Sequence, residues 1–250
     1  MAEMDIRGMA GIVAELIQAQ KYNLAQLELP PENPRTRLAL SLLLASLDHA
    51  ESSAVLLRTD PCAFGVSAVA LFRPQMEAFC RAVMFSLPTE VSDDEIRAFI
   101  EKDQLPQRIG GSGKKVDIWA EAVSKIAVRE INAMAVELSK GDDSAAVFQR
   151  LIHFDKKELH GFVHGGAVLF RMYLDGNGSI GFNLSRDTAR AVLLHIGRLS
   201  QLAFTFAGVR IAKGGMIDPE PMQKAWPAFC EHIAEMTVGA FPSQSGPPSP

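Results

Sequence analysis

Apolar residues recur along this chain at three- and four-residue spacing, the period of a helix with one buried face. In residues 4–28, Ile6, Met9, Ala10, Val13, Leu16, Ile17, Leu24 and Leu27 form such a stripe. The run Pro30-Pro31-Glu32-Asn33-Pro34 interrupts it, because proline lacks a backbone N–H and its ring collides with the preceding turn. A second helix is predicted from about Arg35 to Arg58, and a third over about 61–87. Asp60 suits the N-cap of the third, and Pro61 its first turn. There Val69, Phe72, Met76, Phe79 and Val83 should face the core, while Pro74 predicts a helix start or kink near Arg73. Pro88 ends this helix. Ser92, with Glu95 three residues on, reads as the capping box of a short helix over 93–103.

Beyond it, residues 105–115 (LPQRIGGSGKK) read as a loop, and helices are predicted over about 114–139, 144–164, 185–213 and 219–237. Asp-Gly-Asn-Gly at 175–178, between short apolar runs, predicts a small β-hairpin over 173–184. The tail at 241–250, FPSQSGPPSP, has the composition of a disordered segment. The pattern therefore predicts an all-α protein: an antiparallel bundle of about seven or eight helices in a single domain over 1–240, with at most one small hairpin near 170–184. No strand–helix alternation of the kind that builds a parallel sheet is present.

Composition narrows the function classes. Apolar residues make up 48% of the 250, ample for one core, and the net charge is −4. A protein that coats nucleic acid or anionic membrane by bulk charge is thereby disfavoured. The three cysteines, Cys62, Cys80 and Cys230, are widely spaced and odd in number, which argues against a disulfide framework or a structural zinc site and for a reducing cytoplasm. The first ten residues lack the basic and apolar regions of a signal peptide. The longest apolar run, Leu38–Leu47, is half a membrane span and is followed by Asp48, His49 and Glu51, so no membrane helix is expected.

Two familiar motifs fail. Gly110-Gly111-Ser112-Gly113-Lys114-Lys115 lacks the first glycine and the Ser/Thr of a phosphate-binding loop. Asp175, Asn177 and Ser179 begin like a calcium loop, but Ile180 and Arg186 stand where glycine and an acid are needed.

Two polar sets remain. On a helical wheel His153, His160 and His164 fall within about 40° of one another, with Arg171 on the same stripe and Arg150 nearby. Imidazoles one turn apart converge on one point and titrate near neutral pH, which suits acid–base work. Packing or surface histidines, with Asp155 and Glu158 paired to neighbours, explain the same residues. The second set, Arg73, Glu77 and Arg81, recurs every four residues beside the apolar face of the third helix. It reads either as a self-satisfied ion-pair ladder or as a cleft wall on which Glu77 holds two arginines for an anionic ligand.

The phrase LFRPQMEAFCRAV, followed some eighty residues later by ELHGFVHGGAVLFR, resembles bacterial HEPN-like helical proteins, among them AbiV-like proteins associated with abortive infection. The likeness covers about residues 35–210. It implies a helical bundle that dimerises, in a phage-defence or toxin setting, and in many members a metal-independent ribonuclease with an R-x(4–6)-H motif. Arg190-Ala-Val-Leu-Leu-His195 is the segment here with that spacing, and it departs from active members in carrying Ala191 where they have a polar residue.

The expected function is thus a HEPN-like ribonuclease or nucleotide-handling protein that uses no metal or cofactor. His160 and His164 are its candidate acid and base. Arg73, Arg81 and Arg171 would bind phosphate, Glu77 would orient them, and Arg190 with His195 form a reserve pair. The alternative is a non-catalytic helical module that binds a partner protein or a small anion. A metal-dependent bundle enzyme ranks last, because no Glu-x-x-His pairs are present. A homodimer is expected from the resemblance and from Leu194, Ile196, Leu199, Leu202, Phe204 and Phe206, which place apolar surface on more than one side of their helix.

Overall fold

Four of the first five helices begin on a side chain that accepts a hydrogen bond from the first-turn backbone N–H groups, which otherwise have no partner. In the computed structural model, the described residues are 5–27, 33–109, 115–117, 121–139, 186–212 and 219–234. Asp5 caps α1 (Ile6–Ala25) and Asn33 caps α2 (Pro34–Thr59). Asp60 caps α3 (Pro61–Ala70) by accepting from the backbone of Cys62 and Ala63. Ser92 and Glu95 form the expected capping box on α5 (Asp93–Lys102), which ends on Asp103 in the left-handed region at φ 52°.

The exception is α4 (Phe72–Ser86), which has no side-chain cap and follows α3 across the single residue Leu71. Pro74 explains the break. It supplies no N–H to Ala70 and crowds that carbonyl, so the helix cannot run through. The serine hydroxyls of α2 stitch the joint: Ser53 donates to the Ala68 carbonyl at 2.7 Å, and Ser46 to the Gln75 carbonyl at 2.8 Å.

The expected loop over 105–115 is corrected. Strands β1 (Gln107–Ile109) and β2 (Lys115–Asp117) pair antiparallel, with Arg108 opposite Val116. Ile109 and Val116, β-branched residues on either side of a glycine-rich connection, favour that ribbon over a coil. The next helix, α6 (Glu121–Ser139), accordingly starts later than the predicted residue 114. The last described helices are α7 (Arg186–Phe206) and α8 (Pro219–Phe229), and each runs on into a π-helical turn, Ala207–Ile211 and Cys230–Ala234. The predicted helix at 144–164, the predicted hairpin at 173–184 and the tail at 241–250 lie outside the described residues.

α2 is the hub of an all-α architecture, with α1, α3, α4 and α7 packed on it. It runs antiparallel to α1, since Gln18 meets Glu51 while Lys21 meets Asp48. It also runs antiparallel to α4, since Ser46 meets Gln75 while Arg35 reaches Phe85. One apolar core joins residues from α1 through α8, centred on Leu16, Leu43, Leu47, Phe79, Phe206 and Phe229. At its α7–α8 contact the Phe229 ring lies directly on Gly197, where any side-chain carbon would collide with it.

Two stretches, Pro34–Thr59 and Arg186–Ile211, are long and apolar enough to cross a membrane by length and composition, with 44% and 67% of their apolar windows buried inside the protein. These are α2 and α7 with its π turn, the helices on which others pack. Leu194, Ile196, Leu199, Phe204 and Phe206 are buried within the chain, with Leu202 partly so. The apolar girth of α7 thus serves the chain's own core.

Candidate functional site

The polar row predicted on the third helix stands on α4. Spacing of four residues turns Arg73, Glu77 and Arg81 by only about 40° per step, so they share a face beside the core. The core face of α4 is Phe72, Phe79 and Val83, all buried, with Met76 packed against the core, while the predicted Val69 is buried on α3. Glu77 sits between the two cations. Its Oε1 accepts from Arg73 Nε at 2.8 Å, and its Oε2 lies 3.8 Å from Arg81 Nη2. All three side chains are about a third exposed. The carboxylate therefore fixes the guanidinium plane of Arg73 while the row keeps contact with solvent. With two arginines and one glutamate its formal charge is positive.

The reserve pair is arranged differently. Five residues of helix separate Arg190 and His195 by about 140°, so they point to different sides of α7. His195 is 6% exposed, with its ring centroid 6.1 Å from that of Phe72. Burial, with the Arg198 guanidinium nearby, pushes its pKa down to about 4, so the imidazole is neutral at pH 7. Such a ring suits a packed seam between α4 and α7 better than proton exchange with a ligand in solvent. Arg190 is half-buried, and no described residue accepts from its buried Nε and Nη2. Arg198 is also half-buried, and desolvation lowers its pKa.

His153, His160, His164, Arg150 and Arg171 lie outside the described residues. The predicted meeting of the histidine face with the Arg73–Glu77–Arg81 row lies there too. Among the described residues, no three His, Cys, Asp or Glu side chains converge to hold a metal. An open cleft of about 540 Å³ lies between α5 and β1, lined by Glu95, Asp103, Gln104 and Gln107 among others, and it contains none of the predicted site residues.

Two residues that matter to this region were missed in the sequence. Gln75 is fully buried on the core side of α4, and its Nε2 donates to the Ile196 carbonyl of α7 at 3.2 Å. Its signal was available: an amide among Phe72, Phe79 and Val83 on an apolar stripe. Arg35, at the start of α2, donates to the carbonyls of Phe85 and Val91 at 2.9 and 2.7 Å and pairs with Asp93 at 2.6 Å. It closes the C-terminal end of α4, where helix carbonyls lack partners. Nothing local in the sequence marks it, because its partners are fifty or more residues away.

Compared with family models, with curated proteins and with solved structures, the chain matches none.

Proposed function

We propose that this chain is a helical module that binds a phosphate-bearing ligand, RNA or a nucleotide, on the Arg73–Glu77–Arg81 row. One observation carries the reading. Glu77 holds Arg73 by a 2.8 Å hydrogen bond and stands beside Arg81, at partial exposure. A guanidinium fixed in this way is pre-organised for the fork of hydrogen bonds that phosphate oxygens accept, and less freedom is lost on binding. Net repulsion from a chain of charge −4 makes such a local site, rather than bulk attraction, the route to a polyanion.

The HEPN-like resemblance adds cleavage to binding, in a defence or toxin setting. His160 and His164 are assigned the acid–base roles, and the burial of His195 supports leaving the reserve pair out. One imidazole would take the proton of an RNA 2′-hydroxyl as that oxygen attacks phosphorus. The other would protonate the departing 5′-oxygen as the P–O bond breaks, leaving a 2′,3′-cyclic phosphate. Arg73, Arg81 and Arg171 would stabilise the charge that builds on the phosphoryl oxygens.

The test combines fluorescence anisotropy on labelled single-stranded RNA with cleavage in excess EDTA. Arg73→Ala and Arg81→Ala should each weaken binding by roughly tenfold or more, the cost of a lost charge-assisted contact. His164→Ala should abolish cleavage without weakening binding, and His195→Ala should leave cleavage in place. Binding without cleavage by the wild type would make this a non-catalytic anion-binding module. Equal binding by wild type and both arginine variants would reduce the row to a structural ion-pair ladder.

A further inference from the structure

Gln75 is an expensive residue in its position. It is fully buried, and by helical spacing it lies about 160° round α4 from Glu77, facing away from the row. Its Nε2 donates to the Ile196 carbonyl of α7, and its backbone carbonyl accepts the Ser46 hydroxyl of α2. One residue thus ties α4 to both α2 and α7. Yet its Oε1 is buried, and among the described residues no donor reaches it. A buried amide with an unmet acceptor is unfavourable against an apolar side chain of similar length. Methionine would fill the position without that penalty, so stability alone does not account for the amide.

Register does. A hydrogen bond has a direction, and it fixes the rotation and translation of one helix on another where apolar contacts tolerate sliding. α4 needs such a device at its start. The break at Leu71 removes the positioning that a continuous helix would supply, and Pro74 gives up a backbone donor in the first turn. Arg73 and Glu77 stand on those first two turns.

We propose that Gln75, held in turn by Ser46, is the positioning residue of the arginine row. It sets the rotation of α4 so that Arg73 and Arg81 flank Glu77 in the orientation that meets a phosphate. This inference rests on the reading of the row as a phosphate site. It predicts that binding and stability move in opposite directions when the amide is replaced.

The experiment uses the full chain with Gln75→Met and, as a milder second variant, Ser46→Ala. Three quantities are read: thermal unfolding, RNA affinity by anisotropy, and exchange of the Arg73 Nε–H by NMR. Gln75→Met should unfold at or above the wild-type temperature, exchange the Arg73 Nε–H faster, and bind RNA about five- to tenfold more weakly. Ser46→Ala should shift exchange and affinity in the same sense. Wild-type affinity and exchange in Gln75→Met, or an affinity loss matched by lost stability, would overturn the proposal. If Arg73→Ala and Arg81→Ala bind RNA as the wild type does, the phosphate reading fails. The exchange measurement still decides whether Gln75 orients the row, and unchanged exchange would overturn that too.

Discussion

Two pairs of polar groups, one on α4 and one on α7, look alike in the sequence and differ in the folded chain. Arg73 and Glu77 are four residues apart, share one helical face and bond to each other at partial exposure. Arg190 and His195 are five apart, point to different sides of α7, and His195 is buried against Phe72. One extra residue of spacing turns a shared edge into a split pair. The lesson is that a motif written as a spacing has chemical meaning only in the secondary structure that carries it. In a continuous helix, i,i+4 makes a row, whereas i,i+5 separates its members.

The largest effect should come from the α7 side. Gly197→Val places side-chain carbons where the Phe229 ring lies, and should cost about 4 kcal/mol or more, or prevent folding, by chemical denaturation. Next is the buried imidazole. The folded pKa of His195, about 4, is below its unfolded value of 6.5, so the unfolded chain binds more protons between those values. Stability from this group is therefore fully present above pH 6.5 and is lost as pH falls toward 4. The loss is on the order of 3 kcal/mol. Denaturation curves across that window should show His195→Leu with a correspondingly flatter pH dependence. An equal slope in both proteins would mean that His195 is not buried as described.

On the α4 side, Arg35→Ala leaves the Phe85 and Val91 carbonyls and Asp93 without their shared cation, and should cost about 2 kcal/mol. The smallest effect belongs to the row itself. Glu77→Gln removes partly exposed ion pairs and should change stability by less than about 1 kcal/mol. A loss as large as that of Arg35→Ala would make the row a structural element and narrow the contrast between the two helices.

Much of the helical frame was legible because its signals are local. Asp60, Pro61, Ser92 and Glu95 mark helix ends through contacts within three residues, and the Pro74 break follows from one missing donor. The row was legible for the same reason, since its members are joined by helical period. What failed depended on tertiary context. The ribbon of β1 and β2 replaced an expected loop, because pairing partners six to ten residues apart outweighed glycine content. The apolar girth of α7 reads as exposed surface in the sequence, but Phe206 and Leu199 are buried within the chain. Gln75 and Arg35 act across helices, and nothing near them in sequence names their partners.

The most direct test of the central claim is the salt dependence of RNA binding by the wild type, Arg73→Ala and Arg81→Ala. If the row binds phosphate, each arginine lost removes roughly one ion pair, and the slope of log affinity against log salt should become shallower by about 0.7 on single-stranded RNA. Parallel slopes for all three proteins would contradict the account.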